Sequence, residues 1–310
     1  MKRTPMILTA MGLMGLLVAA AGTAQAAFPG KNGQIAFDTD GSGHSQIFTV
    51  RPDGTGVRQL THFKGRRCAS QPKWSADGRH IVFAVKDTTG EFCSENGNGR
   101  IWVMNADGTG QHRVMKDPGF DDTAPAWSPD GDHIVFSRCA RPFGFATYCD
   151  IARVDADGTG LTKLLGGNWV HNGPSYSPDG QHISFSANRG GMVTAIWVMD
   201  ADGGGLHRLT EPALEASGPK WSPDGSTILF DTIKGIPDEI VDSVWVMTAS
   251  GSDPMLLNDH GVAASYSPNG RRIVLLSGRL SVMNADGTDL HTLVRARGIF
   301  SSDWQPRVAS

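Results

Sequence analysis

The segment TAPAWSPDGDHIVFS, residues 123 to 137, returns along the chain in altered copies, and a chain that repeats itself at this spacing has few folds open to it. The copies read QPKWSADGRHIVFA from Gln71, GPSYSPDGQHISFS from Gly173, GPKWSPDGSTILFD from Gly218 and AASYSPNGRRIVLL from Ala263. A period of roughly 40 to 50 residues marks a propeller or solenoid, in which each unit buries its apolar face only against the next. A second phrase follows each copy at a variable distance: IFTVRPDGTG from Ile47, IWVMNADGTG from Ile101, IARVDADGTG from Ile151, IWVMDADGGG from Ile196, VWVMTASGSD from Val244 and LSVMNADGTD from Leu280. Each unit therefore carries two turn signatures with a loop of free length between them.

The ends of the chain hold complementary fragments of the first phrase. GKNGQIAFD from Gly30 keeps the turn and the strand after it, whereas FSSDWQPR from Phe300 keeps only the aromatic strand, at Trp304. Joined, they complete a sixth unit. The predicted fold is all-β, a six-bladed β-propeller over residues 27–310, closed by pairing of the amino- and carboxyl-terminal strands. Six lies within the four to eight blades such rings use, and closure removes the edges an open stack would expose.

Local chemistry agrees. Proline presets the backbone at the second position of the Ser-Pro-Asp-Gly turn and glycine accepts the left-handed conformation that follows. The ADGTG phrase is a second hairpin turn of the same kind. HIVFS and IWVM are continuous apolar runs, as expected of strands covered on both faces, while HRVM at His112 and LHRLT at Leu206 alternate with polar residues and belong at the outer rim. Trp74, Trp127, Tyr176, Trp221, Tyr266 and Trp304 occupy one equivalent position and are predicted to wedge between neighbouring blades. Trp102, Trp197 and Trp245 are expected to pack similarly in the third strands.

Residues 1–26 read as an export signal: Lys2 and Arg3, a short apolar stretch, then Ala24-Gln25-Ala26 as a small-residue cleavage site. Cleavage would take 28 Lys+Arg to 26 against 31 Asp+Glu, so the formal charge goes from −3 to −5, and such a balance gives no footing for nucleic acid. The expected product is a secreted or periplasmic protein with no stable membrane span, a monomer of one domain.

Function is sought where the repeat is broken, because insertions in repeat folds collect in loops on one face. The connections between second and third strands are long in KDTTGEFCSENGNGR from Lys86, RCARPFGFATYCD from Arg138, SANRGGMVTA from Ser186 and DTIKGIPDEIVDS from Asp231. All four cysteines fall on that face, and an even number in an exported chain points to disulfides, here Cys68 with Cys93 and Cys139 with Cys149. Between the second pair lie Arg141, Phe143, Phe145 and Tyr148, residue types that dominate interface hot spots, with Trp169 and His171 expected nearby. These six are the predicted binding residues. The carboxylates of this face, Asp121 and Asp122 among them, read as a solvated acidic rim.

Catalytic signatures are missing: no GxSxG elbow, no HExxH, no GxxxxGK[ST] and no GxGxxG opening a helix. No metal or other cofactor is predicted. His62, His171 and His260 lie in blade-to-blade connections and offer the one alternative, a shared divalent metal in a glycan-cleaving enzyme. The carboxylates of DADGTG, at Asp155 and Asp157, have the spacing of a calcium loop without its distal glutamate, and hairpin turns explain the same letters.

The WSPDG turn, the I-x-F strand after it and I-x-V-M-x-A-D-G-T-G together resemble the TolB-type propeller repeat, over the whole stretch from about Phe28 to Pro306. The resemblance implies the fold. It also implies two kinds of work, as an envelope-associated binding protein or as a glycan lyase with histidine-held metal, and it supplies no motif that assigns ligands residue by residue. The expected function is a non-catalytic binding module for a protein or cell-envelope component.

Overall fold

A computed structural model describes residues 28–41, 44–87, 98–116, 119–140, 148–189, 193–236, 239–296 and 298–307, with backbone alone for 233–236 and 239–241. The first blade holds β1 (Lys31–Thr39), β2 (Gln46–Val50) and β3 (Arg58–Gln59); the second holds β4 (Arg67–Trp74), β5 (His80–Asp87), β6 (Gly99–Asn105) and β7 (His112–Arg113). The third contains β8 (Asp121–Trp127), β9 (His133–Ala140), β10 (Tyr148–Asp155) and β11 (Thr162–Leu165). The fourth contains β12 (His171–Tyr176), β13 (His182–Ala187), β14 (Ala195–Asp200) and β15 (His207–Arg208). The fifth runs β16 (Ala216–Trp221), β17 (Thr227–Ile236), β18 (Glu239–Thr248) and β19 (Met255–Asn258). The sixth runs β20 (Val262–Tyr266), β21 (Arg272–Leu276), β22 (Leu280–Asn284) and β23 (His291–Val294).

The last strand, β24 (Ile299–Arg307), pairs antiparallel with β1, from Lys31 opposite Arg307 to Thr39 opposite Ile299, and supplies the innermost strand of the first blade. Every sheet thus has four strands, and the ring is closed as the two end fragments predict. Apart from strands the described residues contain one short 3-10 turn, Pro212–Leu214.

Six buried clusters fill the six junctions between blades. Trp74 packs with Ala36 and Ile47 of the first blade and Ile81 and Phe83 of its own, and Trp304 packs equivalently among Ile35, Phe37, Val274 and Leu276 at the closing junction. All six aromatics of this position are buried, which is what a wedge requires. The indole N–H groups of Trp74, Trp127, Trp221 and Trp304 have no hydrogen-bond partner, so these rings stabilise by packing rather than by bonding. Burial falls outward: β9 is buried at seven of its eight positions, whereas both residues of β15 are exposed. Trp102 and Trp245 are only half-buried, with Trp102 edge-on to Phe63 and Trp245 stacked on Phe230.

The turns are closed by their own side chains. In the Ser-Pro-Asp-Gly type, the hydroxyl of Ser222 donates to Asp224 Oδ1 at 2.6 Å, and that oxygen also accepts the Ser226 N–H at 3.0 Å. In the ADGTG type, Asp157 Oδ1 accepts both the N–H and the hydroxyl of Thr159, which holds its carboxyl below the ordinary range. The hairpin duty accounts for the calcium-like spacing. His112, His207 and His291 likewise donate from Nδ1 to a carbonyl two residues back, and His133 pairs with Asp155 at 2.9 Å.

A bulge recurs in the inner strands. Gln71, Ala124, Gly173, Gly218 and Ala263 all have φ between 50° and 64°, and the ladder slips at each. Their N–H groups leave the ladder and reach back to the preceding blade: Gly218 to Ser186 Oγ at 2.9 Å, Ala263 to Asp231 Oδ2 at 2.8 Å and Gln71 to Asp38. The second blade has Ala84 where the first, third, fourth and fifth offer such an acceptor, and there the Gln71 side chain takes the Ala124 N–H at 2.7 Å.

One loop expectation changes. On both sides of residues 237–238, which lie outside the described residues, DTIKGIPDEIVDS is strand, with β17 and β18 paired from Thr227 opposite Thr248 out to Ile236 opposite Glu239, because its β-branched residues Thr232, Ile233, Ile236, Ile240 and Val241 favour continued pairing over an open loop.

Candidate functional site

Two regions depart from the repeat. The first is the loop-rich rim of the third blade. Cys139 and Cys149 face one another across β9 and β10 and form a disulfide. Tyr148, beside it, is 37% exposed, and Phe120, on the adjoining connection, is 36% exposed. The Arg138 guanidinium lies 4.2 Å over the Phe120 ring, and its Nε is 3.7 Å from Asp122, a carboxylate buried beneath it. Asp121 is buried as well, accepting the Gly99 N–H at 2.5 Å, so this pair belongs to the scaffold and not to a solvated rim.

The predicted binding residues separate here. Trp169 is half-buried and its carbonyl accepts the Cys149 N–H at 2.9 Å, which places it beside the disulfide and Tyr148. His171 is not at the surface. It opens β12 and is fully buried, with Nδ1 2.6 Å from the Cys149 carbonyl and its ring edge-on to Phe185. Burial lowers its pKa, so it is held as neutral imidazole. Arg141, Phe143 and Phe145 lie outside the described residues. Cys68 is disulfide-bonded, and its expected partner, Cys93, also lies outside them.

Burial of His171 separates it from His62 and His260, which are exposed in other connections, the latter 2.9 Å from Asp259. Among the described residues no group of three or more His, Cys, Asp or Glu is placed to hold a metal ion.

The second region is the axial channel, a cavity of about 240 Å³ bounded by the inner strands β4, β8, β12, β16, β20 and β24. Its lining includes the residue just before each wedge aromatic: Lys73, Ala126, Ser175, Lys220, Ser265 and Asp303. Lys73 Nζ donates to the Ser302 carbonyl at 3.0 Å and lies 3.3 Å from Asp303 Oδ1, while Asp303 Oδ2 accepts the Trp74 N–H at 2.9 Å. Lys220 Nζ donates to the Pro219 carbonyl at 3.0 Å; burial first, then repulsion from Lys73, pull its pKa down to about 8. Asp231, also in the wall, is pushed up to about 7 by burial. No phrase repeat singles out these polar residues. Position in the repeat could still have found Lys220, since it is the residue just before the wedge aromatic on an innermost strand, on the opposite side of that strand from the aromatic.

The family described as TolB beta propeller domain matches residues 147–308, more than half of the chain, and the chain belongs to that family. It is similar to TolB from Acinetobacter baumannii, with a TM-score of 0.70 and 20% identity over 89% of this chain and 67% of that one. It also resembles an oligogalacturonate lyase solved in complex with manganese, with a TM-score of 0.58 and 16% identity over 89% of this chain and 78% of that one. Likeness at these identities is likeness of fold. In sequence, 91 residues are 30% identical to the uncharacterized peptidase YuxL of Bacillus subtilis (strain 168), covering 29% of this chain and 12% of that protein, so the match spans a small part of the relative.

Proposed function

We propose that the protein is an exported, non-catalytic binding module that holds a protein or cell-envelope component against the rim of its third blade. The observation that carries this is the pair of exposed aromatics, Tyr148 and Phe120, held on a rigid base by the Cys139–Cys149 bridge and by Arg138. Aromatic rings and arginine on a braced surface lose little conformational entropy on binding and supply most of the energy at interfaces. Arg141, Phe143, Phe145 and Trp169 extend the same surface in this reading. Export of residues 27–310 after removal of 1–26 is part of it, and disulfide-bonded cysteines accord with an oxidising compartment. No helix among the described residues is long and apolar enough to cross a membrane.

The test is capture from an envelope extract by immobilised protein. Replacement of Phe143, Phe145 and Tyr148 by serine should abolish recovery of the partner while leaving thermal unfolding nearly unchanged. Recovery equal to that of the unaltered protein would remove the rim from consideration.

A further inference from the structure

The residues just before β1 reach across the axial channel. Phe28 precedes β1 in the first blade, yet it lines the channel and packs against the cluster of Trp127 at the junction of the second and third blades. The Gly30 N–H bonds the Pro268 carbonyl of the sixth blade at 3.2 Å, so the segment crosses the mouth from one side to the other. The cavity is slightly smaller than the roughly 300–1,000 Å³ of sites for drug-sized ligands.

Its charges are unevenly satisfied. Of the two ammonium groups in the wall, Lys73 is paired with Asp303. Lys220 has the Pro219 carbonyl and, among the described residues, no carboxylate within ion-pair distance. Asp231 uses Oδ2 to hold the Ala263 N–H, and its Oδ1 is buried without a partner. A half-buried ammonium with protons to spare asks for an acceptor that can enter, and an anion satisfies it more strongly than a neutral group. The same wall mixes polar groups, Asn172, Ser265 and Ser302 among them, with apolar ones: Pro125, Ala126, Pro174, Ala264 and the Phe28 ring. Ser175, one blade from Lys220 on the same level, adds a hydroxyl.

We propose that the channel is a pocket for a small carboxylate bearing an apolar group, with the Lys220 ammonium as its anchor and Phe28 in its wall. The carboxylate takes the open donors of Lys220, and the apolar group lies among the prolines and alanines. This site is separate from the rim of the third blade, and neither needs the other.

Titration calorimetry with benzoate and its neutral analogue benzamide tests it. Benzoate should bind the unaltered protein once per chain, at least about tenfold more tightly than benzamide, the difference that a charge-assisted hydrogen bond supplies. Lys220→Met should weaken benzoate by about the same factor and leave benzamide unchanged, which removes the preference. Phe28→Ala should weaken both compounds alike, and the rim variant Tyr148→Ser neither. The comparison of the two compounds on the unaltered protein stands even if Lys220→Met fails to fold. Equal affinity for both, no saturable benzoate binding up to about 10 mM, or unchanged benzoate binding by a folded Lys220→Met variant would overturn the proposal.

Discussion

On each inner strand two neighbouring residues follow opposite rules. The wedge aromatic is Trp or Tyr in all six blades and is buried in every one, because every junction presents the same gap to fill. The residue before it is Lys, Ala, Ser, Lys, Ser or Asp, because it faces an axis that is shared by all blades and need be lined only once. One position is set by the ring and the other is free for a ligand. Six-fold repetition thus reports stability, and its failure one residue away reports chemistry.

The sharpest way to break this contrast is to remove a wedge together with its strand. Truncation before Phe300 deletes nearly all of β24, leaves β1 unpaired on its inner edge and should yield insoluble or molten protein, read from solubility and near-ultraviolet circular dichroism. Next in size, Trp304→Ala should cost about 3 to 5 kcal/mol in chemical denaturation. Trp304→Phe should cost clearly less, since the indole N–H makes no bond that phenylalanine would forfeit. Loss of the Cys139–Cys149 bridge by Cys→Ser at both positions should cost about 2 to 4 kcal/mol on the same assay.

The smallest effect concerns pH. Burial lifts the Asp38 carboxyl from 3.8 to about 6, so the folded protein keeps a proton there that the unfolded chain has released. Stability from this group is therefore greatest below about pH 4 and is lost as pH rises through about 6. Asp38→Asn should flatten that part of the stability profile in denaturation between pH 4 and 7. The turn aspartates Asp107 and Asp157 act in the opposite sense: hydrogen bonds from Thr109 and Thr159 lower their pKa, and what they contribute is lost as pH falls below about 4.

The ring was legible because its signals are local and repeated. Ser-Pro-Asp-Gly and Ala-Asp-Gly-Thr-Gly close on themselves through hydrogen bonds two residues long, so the letters are the structure. The terminal fragments were legible because each supplies what the other lacks. His171 was misplaced because β12 begins two residues before the repeated Gly-Pro-Ser-Tyr, and the bulge at Gly173 lets the strand run on past the point where the phrase starts. Lys220 and Asp231 were passed over for a different reason. A comparison among blades registers what blades share, and a channel lined by unlike residues leaves no such trace. Phe28 was invisible too, since nothing in a residue just outside the repeat says that it will cross the axis.

Closure of the ring by its tail is tested most directly by hydrogen exchange at single-residue resolution in β24 and β1. Closure predicts that the paired amides of Ile299–Arg307 and Lys31–Thr39 are protected as strongly as those of β4 and β5 and open together with them. Fast exchange confined to Ile299–Arg307, with the other five inner strands protected, would contradict it.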